Sequence, residues 1–292
     1  MIGIVCVDKP EGVTSHDVVN QVRRELGIKR VGHAGTLDPI ATGLLVMAVG
    51  PATRFLQYLP LEPKEYVATF RFGQTTASYD RECEVLVEIP VHDDLENRIA
   101  IALPSLTGSI EQIPPMYSAI KQGGKALYEL ARKGVEVERP TRRIFVESFK
   151  QIGLVGHDVA FTIVCSGGTY VRSLAHDLGQ AVGCGAHITE LRRTRVGRFS
   201  VDSAKPPREV VRSDVIPLDG AVSPVPIVKI DAASVELIRH GQSIAATQLQ
   251  DVRHVALADP SGTIVGMARV EGNRLHPECV IPSEGAERVH AY

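Results

Sequence analysis

One stretch near the N-terminus combines residue types that can carry out catalysis. Positions 31–43 place a histidine, two threonines, a proline and one carboxylate among three glycines, in the order VGHAGTLDPIATG. Glycine permits and proline fixes unusual backbone angles, so this segment should be an irregular loop. The six apolar residues 44–49 that follow have the length of a buried strand. Loops held by a rigid strand often carry catalytic side chains.

Asp38 is the residue of this loop best suited to chemistry, because an ionised carboxylate is a nucleophile. Asp-Pro is also typical of ordinary turns, in which the carboxylate bonds to nearby backbone. A phosphate-binding loop is a third interpretation, but the lysine and Ser/Thr of a P-loop do not follow the glycines. Residue chemistry alone leaves the nucleophile and the turn about equally favoured.

The motif GHAGTLDP at positions 32–39 closely resembles the catalytic motif of the TruB family of tRNA pseudouridine synthases. Further segments resemble signatures of that family in the same order: DKP at 8–10, KEY at 64–66, PPMYSAIK at 114–121, GTYVR at 168–172 and LRR at 191–193. Together they cover most of residues 5–200. The resemblance implies an enzyme that isomerises uridine to pseudouridine at position 55, in the T loop of tRNA, with Asp38 as the catalytic nucleophile.

The resemblance also implies roles for individual side chains. Arg172 would form a catalytic salt bridge with Asp38, and Tyr66 would lie against the uracil and take part in proton transfer at C5. His33 would help to displace and replace the flipped base, since an imidazole ring can stack there. The residues expected to enclose the base are Tyr66, Tyr170 and Leu191.

Two lysines are further candidates for substrate binding. Lys9 follows the first predicted strand, where it would place a cation near the Asp38 loop or serve simply as a turn lysine. Lys121 lies in a segment punctuated by proline and glycine and would contact RNA. A purely structural role for the Pro-Pro turn of that segment is about as consistent with the sequence.

The helix predicted at 169–182, capped by Thr169, must position Arg172. Apolar residues at 171, 174, 175, 178 and 182 form a buried stripe, and Tyr170 and Arg172 lie off it in the first turn. A cation there opposes the helix dipole and needs an anionic partner, for which Asp38 is proposed. Residues 191–198 are predicted to form an edge strand that faces phosphate.

The net charge of −2 does not indicate a nucleic-acid ligand, but the distribution of charge does. Residues 121–212 contain 16 Lys/Arg against 9 Asp/Glu, a local balance of +7, while residues 213–292 contain 6 against 10. One basic segment in an acidic chain suits phosphate contacts, although on charge alone an ordinary mixed solvated surface is the favoured explanation. The acidic segment 73–98, which includes Asp80, matches no EF-hand loop and is interpreted as a solvated face.

The length of 292 residues suits one large and one small domain, here placed at 1–222 and 227–292 with a Pro-rich linker over 205–226. The expected class is α+β, with a mixed, mainly antiparallel sheet flanked by helices and a small β-rich domain similar to PUA domains. No apolar run reaches 18 residues, which predicts no membrane span. Five scattered cysteines form no Cys-x-x-Cys pair and suit a reducing cytoplasm.

Neither a metal nor an organic cofactor is expected, and the anticipated partner is the T arm of tRNA, without an obligate protein partner. Two alternatives remain. A non-catalytic RNA-folding module with the same fold would tolerate Asp38→Asn, and the catalytic subunit of a guide-RNA particle would do little on a naked tRNA transcript.

Overall fold

The computed structural model of the protein describes residues 1–222, 224–246, 249 and 252–282. Its strands are β1 Gly3–Lys9, β2 Val31–His33, β3 Thr42–Val49, β4 Lys64–Phe72, β5 Gln74–Thr76, β6 Val85–Glu88, β7 Gly108–Gln112, β8 Lys121–Gln122, β9 Lys125–Ala126, β10 Arg142–Val155, β11 Asp158–Cys165, β12 Ala186–Val196, β13 Phe199–Ser200, β14 Ile227–Lys229, β15 Ile244–Ala245, β16 His254–Ala258, β17 Ile264–Glu271 and β18 Arg274–Val280. Its α-helices are α1 Ser15–Leu26, α2 Leu95–Ala102, α3 Leu127–Ala131, α4 Val171–Val182, α5 Leu218–Ala221 and α6 Ala232–Arg239, and a 3-10 helix spans Gly50–Tyr58.

The central sheet contains nine strands and runs in the order β1-β3-β12-β4-β11-β10-β7, with β2 beside β3 and β13 beside β12. The β3–β12 pair is parallel, with Thr42 and Gly43 aligned with Arg192 and Arg193. The remaining strand pairs of this sheet are antiparallel. The predicted mixed, mainly antiparallel α+β class is therefore confirmed. The parallel pair brings the strand that follows the Asp38 loop next to the strand that carries Leu191.

Local sequence signals define both ends of α1, whereas a long-range contact holds the start of α4. Helix α1 begins with a capping box, in which the Thr14 hydroxyl accepts from Asp17 N (3.1 Å) and the Asp17 carboxylate accepts from Thr14 N (2.9 Å). It ends at Gly27, which has φ +67°. Helix α4 begins after Tyr170, so the predicted cap at Thr169 is wrong. The buried Gln112 side chain instead bonds to Tyr170 N (2.8 Å) and Tyr170 O (3.0 Å).

The strand β12 is central rather than at an edge, which corrects the prediction for residues 191–198. Two of its arginines pair with carboxylates on other strands of the sheet. Arg192 makes a bidentate pair with Asp8 (2.8 and 3.0 Å), and Arg195 pairs with Glu65 (3.1 Å). The alternation of cations therefore reflects interstrand ion pairs, and only part of the basic segment is available to phosphate.

The segment after β13 packs against the central sheet, so the predicted linker is wrong over 205–222. Ile216 exchanges two backbone hydrogen bonds with Ile4 (2.7 and 2.8 Å), and Asp8 N donates to Lys205 O (2.9 Å). Val210 and Leu218 are buried. Apolar residues of this segment thus cover the first strand of the sheet.

A second sheet, ordered β14-β16-β17-β18-β15, forms the β-rich C-terminal part together with α6. Met267 and Cys279 of this sheet share a hydrophobic cluster with Phe55 of the 3-10 helix. The Tyr58 hydroxyl also donates to Glu278 (3.0 Å). The domain limits 1–222 and 227–292 stay a prediction, and residues 283–292 lie outside the described residues. None of the helices described here is long and apolar enough to cross a membrane.

Candidate active site

The loop between β2 and β3 that carries Asp38 is held by hydrogen bonds with Ser15 at the start of α1 and by one within the loop. The Ser15 hydroxyl accepts from Leu37 N (2.8 Å) and donates to Leu37 O (3.0 Å). Ala41 N donates to Asp38 O (3.0 Å). Gly43, at the start of β3, shows why this segment needs glycine. It has φ +97°, and a Cβ there would lie 2.3 Å from the carbonyl oxygen of Arg193.

Lys9 supports the same loop and is completely buried. Its ammonium donates to the carbonyl oxygens of Pro10 (2.9 Å), Pro39 (3.2 Å) and Ala41 (2.6 Å). Burial lowers the pKa of Lys9 to about 8, although the charge of Asp38 acts in the opposite direction. The predicted cation near the Asp38 loop is therefore present, but this placement leaves Lys9 no surface on which to bind a substrate.

Arg172 forms the predicted ion pair with Asp38. Its Nε lies 3.0 Å from Asp38 Oδ2, and only 5% of the Arg172 side chain is exposed. The other guanidinium nitrogens are anchored elsewhere. Nη1 donates to Ser78 O (3.0 Å) and lies 3.3 Å from Asp80 Oδ2, and Nη2 donates to Tyr117 O (2.8 Å). The guanidinium is thus held on three sides, and one edge faces the Asp38 carboxylate.

Asp80 contradicts its interpretation as part of a solvated acidic face. It is fully buried, its Oδ1 accepts from the Ser78 hydroxyl (2.5 Å) and from Glu82 N (3.0 Å), and its Oδ2 faces Arg172. A buried carboxylate needs such partners to remain charged. Its partner Arg172 is 92 positions away in the chain. The acidic composition of residues 73–98 did not indicate this buried ion pair.

The Asp38 carboxylate lies deep in the protein and remains accessible, with 36% of its side-chain surface exposed. Burial raises the pKa of Asp38 above the ordinary aspartate value, with a smaller contribution in the same direction from Asp80. The Arg172 guanidinium and, to a smaller extent, Lys9 oppose this rise in pKa. Arg172 therefore favours the charged form as expected, but it does so against a larger effect of burial.

A cavity of about 270 Å³ opens over this carboxylate. Its walls include Tyr66, Tyr170 and Leu191, the three side chains expected to enclose the base, together with Asp38 and Arg172. Tyr170 is oriented by the Arg142 guanidinium, which lies 5.2 Å from the centre of the ring. Five residues predicted from widely separated segments therefore meet around one cavity.

Two cations of the cavity wall, Lys64 and Arg193, were not predicted as site residues. Arg193 is buried and donates to Leu44 O (2.8 Å) and Gly35 O (3.1 Å). Burial lowers the pKa of Lys64, and the nearby charge of Arg193 lowers it further. Both residues belong to the segments KEY and LRR, so a signal for them was present in the sequence.

Burial raises the pKa of the Tyr66 phenol, whereas the charge of Arg193 lowers it. Tyr66 is thus a neutral phenol beside a cation. Such a neighbour favours the phenolate that a proton transfer from the phenol would leave behind.

His33 and Lys121 are not on the wall of this cavity. His33 is half-buried in β2, and burial, then the charges of Arg193 and His16, lower the pKa of its imidazole. Lys121 is exposed on the hairpin β8–β9. Their roles toward RNA stay predictions.

Comparison with known proteins decides the family. Residues 23–171 match the model of the TruB family pseudouridylate synthase N-terminal domain. The chain belongs to the TruB family. Residues 172–214 match the tRNA pseudouridylate synthase B C-terminal domain, and residues 226–281 match the C-terminal domain of pseudouridine synthase II TruB.

Several relatives in this family are named tRNA pseudouridine synthase B. The protein from Aromatoleum aromaticum is 45% identical over 251 residues, which cover 84% of this chain and 81% of the relative. The protein from Mycobacterium bovis is 40% identical over 286 residues, which cover 96% and 95%. Among solved structures, a Cbf5-Nop10-Gar1 complex contains a chain with a TM-score of 0.70 and 28% identity, and the match covers 97% of this chain and 86% of that one.

Proposed function

We propose that this protein is a tRNA pseudouridine synthase that acts on the uridine at position 55 in the T loop, with Asp38 as its nucleophile. The observation that carries the proposal is an accessible carboxylate, paired with Arg172 at 3.0 Å, at the bottom of a cavity lined by two tyrosines and a leucine. The relatives named tRNA pseudouridine synthase B supply the substrate class.

The size of the cavity supports base flipping. Small-molecule sites usually have volumes of roughly 300–1,000 Å³, and the cavity of about 270 Å³ is slightly smaller than this range. It suits a single base and not a stacked stretch of RNA. The target uridine must therefore leave the folded loop, at a cost of a few kcal/mol, before it reaches Asp38.

The reaction breaks the C1′–N1 bond and forms a C1′–C5 bond, while the C5 proton is removed and N1 becomes protonated. Asp38 attacks the nucleotide as its carboxylate, which Arg172 holds in the charged form. The covalent bond formed by this attack breaks again before the product is released, which regenerates the carboxylate. Tyr170 and Leu191 confine the detached uracil while it turns to present C5. Tyr66 takes part in the proton transfer at C5. The charge of Arg193 favours the phenolate form of Tyr66, although the larger effect of burial keeps the resting phenol neutral.

Phosphate contacts come from exposed cations, including Lys121, since many cations of the basic segment are already used inside the fold. His33 lies outside the cavity and, as a neutral ring, is suited to occupy the position that the flipped base leaves.

The five cysteines are unpaired, which supports a reducing cytoplasmic location.

The decisive experiment incubates the purified protein with an unmodified tRNA transcript and maps the modified nucleotide. Formation of pseudouridine at position 55 is expected without any added protein or guide RNA. Modification at another position would refute the assignment of the T loop. Absence of any modification would refute the stand-alone enzyme.

One observation favours a second candidate, the catalytic subunit of a guide-RNA particle. A chain in an H/ACA RNP bound to a substrate RNA matches this protein with a TM-score of 0.69 and 26% identity. The same assay separates the two candidates, because a guide-dependent subunit would modify the transcript only when the guide RNA and its partner proteins are added.

A further inference from the structure

His176 lies one helical turn after Arg172 on α4, so the two side chains share one face of the helix. The imidazole stacks on the ring of Tyr79, with the ring centres 4.0 Å apart and the planes inclined by 15°. Neither ring lines the cavity over Asp38. The stack therefore lies outside the cavity that is expected to hold the substrate.

In the chain, Tyr79 stands between Ser78 and Asp80, two of the three residues that anchor Arg172. The carbonyl of Ser78 accepts from Arg172 Nη1 (3.0 Å), and the carboxylate of Asp80 lies 3.3 Å from the same nitrogen. Helix α4 thus contacts three consecutive residues of this loop, at the carbonyl of residue 78, the ring of residue 79 and the carboxylate of residue 80. The stack is the middle contact of the three.

The backbone of Tyr79 shows that this position needs to be held. It has φ +62°, in the left-handed region that is unfavourable for a bulky residue. Two backbone hydrogen bonds help to define it, from Tyr79 N to Thr76 O (3.3 Å) and from Ile188 N to Tyr79 O (3.0 Å). The orientation of the ring depends on what it packs against.

Close packing does not fully enclose the two rings, because both line a second cavity of about 400 Å³. The imidazole Nδ1 is buried and makes no hydrogen bond within the described residues. Burial, and then the charge of Arg139, lower the pKa of His176, so the ring is neutral. His176 therefore contributes a flat neutral surface to this loop rather than a polar contact.

We propose that the Tyr79–His176 stack is a positioning device for the Arg172–Asp38 pair. This inference rests on the proposed function, because it concerns the rate of the same reaction. The stack keeps the Ser78 carbonyl and the Asp80 carboxylate on Arg172 Nη1, and this anchoring keeps Nε 3.0 Å from Asp38. His176 and Tyr79 are positioning residues and touch no reacting atom.

The test replaces each ring by an apolar side chain that cannot stack, with Tyr79→Leu, His176→Leu and the double variant. Tyr79→Phe retains the ring and serves as the conservative control. Gln180→Ala is the second control, since Gln180 lines the same cavity one turn beyond His176 and has no part in the stack. Single-turnover pseudouridine formation and tRNA binding are measured for every protein, with thermal unfolding to verify the fold.

Each leucine variant should lower the single-turnover rate about three- to tenfold, the loss expected for one aromatic pair. The dissociation constant for tRNA should stay within about twofold, because no RNA contact is removed. The double variant should be no slower than the slower single variant, as for two residues that act as one unit. The acid limb of the rate profile should move to higher pH, since a displaced Arg172 opposes the raised pKa of Asp38 less. Both control variants should resemble wild type.

Wild-type rates for both leucine variants, losses that multiply in the double variant, or a loss confined to tRNA binding would each overturn the positioning role. If a leucine variant does not fold, Tyr79→Gly provides the test, because glycine adopts φ +62° freely and lacks the ring. A wild-type protein that forms no pseudouridine would refute the proposed function. An active wild type with fully active leucine variants would refute only the stack.

Discussion

Arg172→Lys should abolish most of the activity while leaving the protein folded and able to bind tRNA. The arginine side chain makes four contacts through three nitrogens, to Asp38, Asp80 and the carbonyl oxygens of Ser78 and Tyr117. A lysine ammonium is a single point of charge on a flexible stem and cannot reproduce this arrangement. It can approach one of the two carboxylates only by leaving the other.

The size of the loss follows from the two charge-assisted contacts. Each is worth about 1.5–3 kcal/mol, because both partners are charged and the Arg172 side chain is buried; the contact with Asp38, whose side chain is 36% exposed, lies at the lower end of this range. Loss of the contacts with both Asp38 and Asp80 should raise the activation free energy by about 3–6 kcal/mol, which is roughly a 10²- to 10⁴-fold lower rate. The raised pKa of Asp38 adds to the effect, since Arg172 is the main group that opposes the influence of burial.

Single-turnover pseudouridine formation at saturating enzyme isolates this chemical step from tRNA binding. Arg98→Lys is a suitable control, because Arg98 in α2 forms an exposed ion pair with Asp94, the residue just before this helix. The control should retain wild-type rates, and both variants should unfold in a single transition. A rate for Arg172→Lys within about fivefold of wild type would show that the ion pair does not determine catalysis.

Three further predictions concern the loop, the charge state and the RNA. Lys9→Met removes the buried donor to Pro39 O and Ala41 O and should lower the free energy of unfolding by about 2–4 kcal/mol; unchanged urea denaturation would contradict this role. The single-turnover rate should fall as pH decreases through the raised pKa of Asp38, because only the anion attacks; an acid limb at or below 3.8 would contradict the effect of burial. Affinity for tRNA should decrease steeply with added salt as counterions compete for phosphate, and a salt-independent dissociation constant would exclude a phosphate-contacting surface.

Local sequence signals predicted the parts of the fold that local interactions determine. Thr14, Asp17 and Gly27 mark both ends of α1, and each acts through neighbours within one helical turn. The stripe of apolar residues in α4 likewise defined its buried face. The ion pair of Arg172 with Asp38 joins distant segments, but it was predicted because a cation in the first turn of a helix needs an anionic partner and the family resemblance points to Asp38.

The remaining features depend on contacts between distant parts of the chain. The acidic surroundings of Asp80 suggested a solvated face, whereas its partner Arg172 lies in another element and makes its burial possible. The cations of β12 suggested an edge facing phosphate, because the carboxylates that neutralise Arg192 and Arg195, namely Asp8 and Glu65, lie on other strands. Charge patterns in one segment therefore do not indicate whether that charge is exposed or paired inside the fold.

The most direct test of the central claim compares Asp38→Asn with wild type on an unmodified tRNA transcript. Asparagine retains the size of the side chain and removes the nucleophilic charge, so the variant should bind the T arm with wild-type affinity and form no pseudouridine. Measurable pseudouridine formation by pure Asp38→Asn protein would contradict the account, because it would require a nucleophile other than residue 38.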